Sequence, residues 1–175
     1  GFTSVMFDGS HLSVEENIAK TKEVVALAKG YGAAVEAEIG CVGGSEDGSV
    51  DIAMHCTSPE QAKIFAERTG VDALAIAVGN AHGAYKLPPK LDFERIRTIA
   101  KTVDVPLVLH GGSGLTDDDF RKAIKDGISK VNIFTDINVS AVEAFFRNFS
   151  EMNKGIIDVV PAVREAIKQS VIEKM

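Results

Sequence analysis

The chain has 175 residues, 45% hydrophobic and 25% charged, which is the make-up of an ordinary globular domain with enough material for one core. Its net charge of -6 argues against nucleic acid or an anionic membrane as the main partner, although a few local donors suffice to hold one phosphate. No apolar run reaches the length of a membrane span, and Cys41 and Cys56 make no disulfide framework, so a reducing cytoplasm is the expected compartment.

The chain opens on Gly1 and passes at once into a strand-like run, Thr3 to Phe7, so a segment upstream is expected. Ser13-Val14-Glu15-Glu16 is a capping box, and it predicts a helix to Lys29 that Gly30 and Gly32 stop. A second strand, Ala34 to Ile39, leads into a glycine-rich acidic loop over Gly43 to Asp51. Ser58-Pro59-Glu60-Gln61 starts a helix that Gly70 closes, and Leu74 to Val78 reads as the third strand. Asp92 caps a helix with Phe93, Ile96, Ile99 or Ala100, and Val103 on its apolar face. Pro106 to Leu109 is the fourth strand, and Thr116 caps a helix carrying Phe120, Ala123 and Ile124 as far as Gly127. Ser129 to Ile133 is the fifth strand, followed by helices over about Val139 to Met152 and Pro161 to Lys174. With no linker or low-complexity tract, residues 1–175 are expected to form a single domain.

Strands alternating with helices mean a parallel α/β sheet, either doubly wound or part of a (β/α)₈ barrel, for which about 250 residues are typical. The polar residues bear on that choice, because barrel enzymes gather their chemistry at the C-terminal ends of the strands. Each predicted strand ends in a reactive group: Asp8, then Glu36 and Glu38, His82, His110 and Asn132. With a period of two, Glu36 and Glu38 share one face of their strand, opposite Val35, Ala37 and Ile39. If that strand is covered on both faces, each carboxylate needs a partner or a cation; an edge strand with a wet face is the bland alternative. His82 and His110 are about one βα unit apart, which places them on neighbouring strands within reach of one ion, with Glu38 beside them. A His, His and carboxylate set with an open position suits Zn²⁺ acting as a Lewis acid. His110-Gly111-Gly112-Ser113-Gly114 ahead of the helix start at Thr116 offers backbone donors and a helix dipole to an anion, and Asn132 to Asp136 supplies further donors.

The run Val35-Glu36-Ala37-Glu38-Ile39-Gly40-Cys41-Val42-Gly43-Gly44-Ser45-Glu46 resembles the signature of class II, zinc-dependent fructose- and tagatose-bisphosphate aldolases. Phe2 to His11, Gly79-Asn80-Ala81-His82-Gly83, the HGGSG turn and Lys130-Val131-Asn132 are similar to that family's motifs and stand in its order, so the likeness covers nearly the whole chain. The resemblance implies a TIM (β/α)₈ barrel of which this chain is the C-terminal portion, strands four to eight. It implies His82 and His110 as zinc ligands, with Glu38 and Asp8 as second-site or alternative metal ligands. It assigns Gly83, Gly111, Gly112, Ser113, Asn132, Ile133, Phe134 and Thr135 to the dihydroxyacetone phosphate end of the substrate. Glu46 matches the residue that moves a proton at the carbon next to the carbonyl. A monovalent cation, Na⁺ or K⁺, near the phosphate and a homodimer or homotetramer are also usual in such enzymes. The activity implied is reversible aldol cleavage of a phosphorylated ketose.

The chain departs from the family pattern in lacking the Asp-His pair of an earlier strand, in the bulk of Phe134, and in a short stretch from Asp47 to Thr57. Three other readings stay open: a non-catalytic half-barrel that needs a partner chain, an aldolase acting on another ketose phosphate, and another phosphate-binding barrel such as an epimerase or isomerase. His11 and His55 read as loop or packing residues and Cys41 as a small hydrophobe. Phe145, Phe146 and Phe149 read as a stripe for core or subunit contact, and Lys122, Lys125 and Lys130 as a solvated face.

Overall fold

The structure, a computed structural model, describes residues 1–40, 56–81, 89–151 and 153–175. Among these, five parallel strands form one sheet: β1 (Ser4–Phe7), β2 (Ala34–Ile39), β3 (Ala73–Ile76), β4 (Leu107–Leu109) and β5 (Ile128–Val131). They lie side by side in chain order, each paired in parallel with the next. A doubly wound sheet reverses its order at a switch point. A sheet that never reverses, joined by right-handed crossovers, keeps its helices on one face, as a barrel does.

The helices start where local chemistry tells them to. In α1 (Val14–Lys29) the capping box is closed in both directions: Glu16 N–H donates to Ser13 Oγ, and Ser13 N–H donates to Glu16 Oε2. Ser58 caps α2 (Pro59–Thr69), with proline in the first turn, and Gly70 ends it in the left-handed conformation at φ 67°. Asp92 caps α3 (Phe93–Ala100), and Thr116 caps α4 (Asp117–Asp126) with a second reciprocal box through Asp119. Ile124 of α4 is 60% exposed, so that helix buries a narrower stripe than predicted, Ala123 with half-buried Phe120 beside it.

One continuous apolar core joins the sheet to these helices. Val35, Ala37 and Ile39 of β2, Leu74 and Ile76 of β3, and Leu107 and Leu109 of β4 meet Ile18, Val25, Phe65, Ile96 and Ile99 of the helices. Register places the alternate residues on the opposite face: Met6 beside Glu36, Glu36 beside Ala73, Glu38 beside Ala75. The alanines of β3 leave room on that face for the carboxylates of β2.

The chain divides into two compact units, Gly1–Asn132, which holds the sheet, and Ile133–Met175. The second is a helical hairpin in which α5 (Thr135–Asn148) packs on α6 (Val160–Lys174), and Lys174 Nζ stands 3.0 Å from Asp136 Oδ2. α5 begins at Thr135 rather than Val139, and no capping side chain marks its start. Phe145 meets the rings of Phe146 and Phe149 at 5.5 and 5.7 Å. Phe146 and Phe149 stay largely exposed, so the stripe is not core within its own unit.

Candidate functional site

β2 lies between β1 and β3, so the edge-strand alternative for its two glutamates does not hold. Glu36 is 5% exposed and Glu38 1%, on the face away from the helices. Buried polar groups also fix the strand ends around them. Asn17 Nδ2 donates to the Glu38 carbonyl at 2.9 Å, while its Oδ1 accepts from Thr21 Oγ1. Thr57 Oγ1 donates to the Ile39 carbonyl and accepts from Ala77 N–H, tying β2 to the end of β3. Asn80 Nδ2 donates to the His110 carbonyl at 3.0 Å, and its Oδ1 accepts from Val78 N–H. Sequence reading passed over Asn17 and Thr57. The available signal was that Asn17 and Thr21 lie on the same helical face as Ile18 and Val25, where two polar residues need partners.

His110 follows β4 and is 5% exposed. Its Nε2 is 2.9 Å from Glu36 Oε1, and its Nδ1 is 3.0 Å from Glu38 Oε2. The two contacts differ in kind. The first is an aligned hydrogen bond; the second is close enough for an ion pair but lacks that alignment, and among the described residues Glu38 Oε2 is buried with no hydrogen-bond partner. Burial disfavours the imidazolium, yet the two carboxylates outweigh it and raise the His110 pKa to about 9. Burial likewise pushes Glu36 up, and His110 and Lys130 together bring it below the ordinary glutamate value.

Lys130 is where the sequence reading needs correcting. Its side chain is 54% exposed, but its ammonium bonds Glu36 Oε2 at 2.6 Å instead of standing in a solvated face. Regular alternation would have paired Val108 with Ser129. The pairing slips instead between Leu107 and Val108, so that Ile128 faces Leu107 and Lys130 faces Val108. Ser129 is thus the extra residue of a bulge, and the bulge turns Lys130 onto the carboxylate-bearing face. Glu36 and Lys130 sit on β2 and β5, three strand spacings apart, about 14 Å in a flat sheet. A contact at 2.6 Å across that span requires the sheet to curl around this face, as a barrel wall does.

The other expected residues fall into four groups. Asp8, just past β1, is exposed, and its Oδ1 accepts from Ser10 N–H at 2.9 Å. Gly111 sits at φ 65°, where a Cβ would collide with the Ala81 carbonyl oxygen, so only glycine lets this turn lie against the end of the neighbouring strand's loop. Gly112 N–H donates to the Asn132 carbonyl at 2.9 Å, and Asn132 N–H to Leu109, joining the loops that follow β4 and β5. Ser113 is buried in the same turn. At the start of α4 the Thr116–Asp119 box occupies the terminus, and Asp117, Asp118 and Asp119 make the first turn negative, which offsets the helix dipole expected to favour an anion. Ile133, Phe134 and Thr135 belong to the second unit, with Phe134 at the N-cap of α5 and no side-chain cap bond. His82, Gly83, Glu46 and Cys41, together with the predicted loop 43–51, lie outside the described residues.

Among the described residues no three His, Cys, Asp or Glu side chains converge to hold a metal by themselves. Two of the expected donors do meet. Nδ1 of His110 and Glu38 Oε2 face one another at 3.0 Å, as two ligands of one cation would, and Nε2 is anchored behind by Glu36. That arrangement fits zinc with further ligands drawn from elsewhere.

The family model for class II fructose-bisphosphate aldolases matches residues 1–175. The chain is 49% identical over 154 residues to the GatY subunit of D-tagatose-1,6-bisphosphate aldolase from Klebsiella oxytoca, covering 86% of this chain and 54% of that protein. It is similar to the crystal structure of the YdjI aldolase from Escherichia coli K12, with 41% identity and a TM-score of 0.85 over 99% of this chain and 60% of that one. A Coccidioides immitis protein with a proposed fructose-1,6-bisphosphate aldolase activity gives 37% identity and a TM-score of 0.89, covering all of this chain and 62% of its own. The chain therefore spans little more than half the length of these relatives, and its five parallel strands match part of their barrel. It belongs to the class II fructose-bisphosphate aldolase family.

Proposed function

We propose that the protein takes part in zinc-dependent, reversible aldol cleavage of a ketose 1,6-bisphosphate, of fructose or tagatose type, to dihydroxyacetone phosphate and an aldehyde such as glyceraldehyde 3-phosphate. The observation that carries this reading is the buried His110 imidazole set between Glu36 and Glu38, with one carboxylate oxygen left without a hydrogen bond among the described residues. Zinc held by His110 and Glu38, with His82 and Asp8 as the further ligands the resemblance names, would polarise the ketone and stabilise negative charge on the carbon beside it.

The chain's own residues would divide the remaining work. Glu46 would deliver or remove the proton at that carbon, the role the resemblance gives it and one that a carboxylate can perform. Gly111, Gly112, Ser113 and Asn132 would orient the phosphate end, because the hydrogen bonds joining their two loops fix the backbone there. The resemblance assigns Gly83, Ile133, Phe134 and Thr135 to the same end of the substrate, with Na⁺ or K⁺ near it. We read both units as one domain, the C-terminal portion of a TIM-barrel aldolase, since the family match runs unbroken from residue 1 to 175. A homodimer or homotetramer in the cytoplasm is the setting this reading implies. Among the described residues no helix is long and apolar enough to cross a membrane.

The test is cleavage of fructose and tagatose 1,6-bisphosphates by the zinc-loaded protein, with and without a chelator. Chelator-sensitive release of triose phosphate is expected. Cleavage indifferent to the chelator would sink the metal reading. A zinc-binding preparation that cleaves neither sugar would sink both substrates.

A further inference from the structure

Behind the candidate metal ligand stands a pair of side chains that the aldolase reading does not use. Glu36 accepts from His110 Nε2 through one oxygen, at 2.9 Å, and from Lys130 Nζ through the other, at 2.6 Å. Both glutamate oxygens are therefore committed, and the carboxylate is locked in direction. The resulting chain runs Lys130, Glu36, His110, Glu38, across the curled face of the sheet from β5 to β2.

We propose that Glu36 and Lys130 are positioning residues for the metal: together they hold the Nε2 proton of His110 and so present the Nδ1 lone pair toward Glu38. This rests on the aldolase reading above, which puts the metal between those two atoms. The physical ground is general. A metal-bound imidazole has one nitrogen for the metal and one N–H to place, and a carboxylate behind it fixes the tautomer, the ring plane and the basicity of the ligand. A buried carboxylate used in this way needs a counter-charge of its own, and Lys130 supplies it.

An ordinary strand ion pair would explain the Lys130–Glu36 contact more simply, but two features count against it. First, Glu36 is buried and divides its oxygens between lysine and the imidazole, whereas a stabilising surface pair would meet in solvent. Second, Lys130 reaches this face only because β5 carries the extra Ser129. A bulge breaks ladder hydrogen bonds, and such bulges recur where a side chain must be re-aimed beside a site.

The experiment is a competition titration of Zn²⁺ between a chromogenic chelator and the purified protein, comparing wild type with Glu36→Gln, Lys130→Met and Lys130→Arg. The expected result is zinc affinity about 10–100-fold weaker in Glu36→Gln and about 10-fold weaker in Lys130→Met, the range for losing an outer partner of a metal-bound histidine. Lys130→Arg should keep affinity within about threefold of wild type, because it retains the charge and a donor for Glu36. Absorption of the Co²⁺-substituted protein should change in Glu36→Gln and Lys130→Met and be restored in Lys130→Arg.

If both non-conservative variants bind zinc as wild type does while their unfolding midpoints fall, the pair is structural and the inference is overturned. If the wild type itself takes up no zinc, the metal reading falls and this one with it. Should Glu36→Gln fail to fold, Lys130→Met decides alone, since its side chain is half exposed and can be truncated without opening the core.

Discussion

The two faces of the five-stranded sheet are built from the same strands and follow opposite rules. Toward the helices every inward position is apolar, from Val35, Ala37 and Ile39 through Leu74 and Ile76 to Leu107 and Leu109. On the other face the same strands carry Glu36, Glu38 and Lys130, His110 follows β4, and small alanines lie between the charged groups. A period of two allows this division, because neighbouring residues never compete for a face. The consequence is that stability and chemistry can be altered one at a time. Damage on the helix side should unfold the protein without retuning the site, and damage on the polar side should do the reverse.

The largest effect is expected from Phe65→Ala in α2. Phe65 is fully buried in the core, and truncating such a ring costs about 3–5 kcal/mol, a large part of a typical domain's stability. Urea unfolding should show the loss, while the zinc affinity of the fraction still folded stays at the wild-type value. An equal drop in zinc affinity would mean that the two faces are not independent. The mirror experiment is Glu38→Gln. Here zinc affinity should fall by more than the roughly 100-fold upper range for outer partners, because a ligand itself is lost. The metal-free protein should unfold at a somewhat lower midpoint, though by less than Phe65→Ala, because the substitution removes one of the two buried carboxylates that hold the His110 imidazolium while Glu36 remains. A midpoint that collapses would show that Glu38 holds the fold together and would blur the division.

Gly111→Ala tests the seam between the faces and should rank third. The residue adopts φ 65°, and the added methyl would meet the Ala81 carbonyl oxygen, so about 1–3 kcal/mol is expected from strain and displacement. Unlike the first two substitutions, it should affect both readouts: a lower unfolding midpoint, and weaker zinc uptake because His110 precedes it directly. Loss of stability alone would show the turn to be a structural corner that merely adjoins the site.

This contrast also explains what the sequence disclosed. Elements bounded by side-chain chemistry were legible almost to the residue. The Ser13–Glu16 box, Ser58-Pro59 and Asp92 mark helix starts that the structure reproduces. So was the burial of Glu36 and Glu38, because alternation along one strand and the helices on either side in sequence sufficed to place them. What depends on register between strands was hidden. Lys130 read as a solvated lysine because no residue type announces a bulge, and one extra residue, Ser129, reverses the face. The uncapped start of α5 was misplaced for a similar reason: it has no marker of its own. At α4 the sequence reading set a helix dipole beside the glycine turn and gave no weight to the three aspartates of the first turn, which offset that dipole.

The smallest effect belongs to the solvent side of the helices, which neither face of the sheet controls. Glu15 is held by Arg68 in a bidentate pair linking α1 to α2, and Glu16 closes the α1 capping box; both carboxyls lie below their ordinary value of 4.5, through Arg68 and through Ser13 respectively. A depressed folded-state value means that the stabilisation is present above that ordinary value and fades as pH falls through the lower one. Glu16→Gln isolates this term, since glutamine can still close the box but does not titrate. The wild type should unfold at slightly higher urea than Glu16→Gln near about pH 6, and the gap should close by about pH 3. Zinc affinity should be untouched throughout. A gap that persists in acid would assign the difference to the geometry of the box rather than to its charge, and any change in zinc binding would connect this outer surface to the polar face it is expected to ignore.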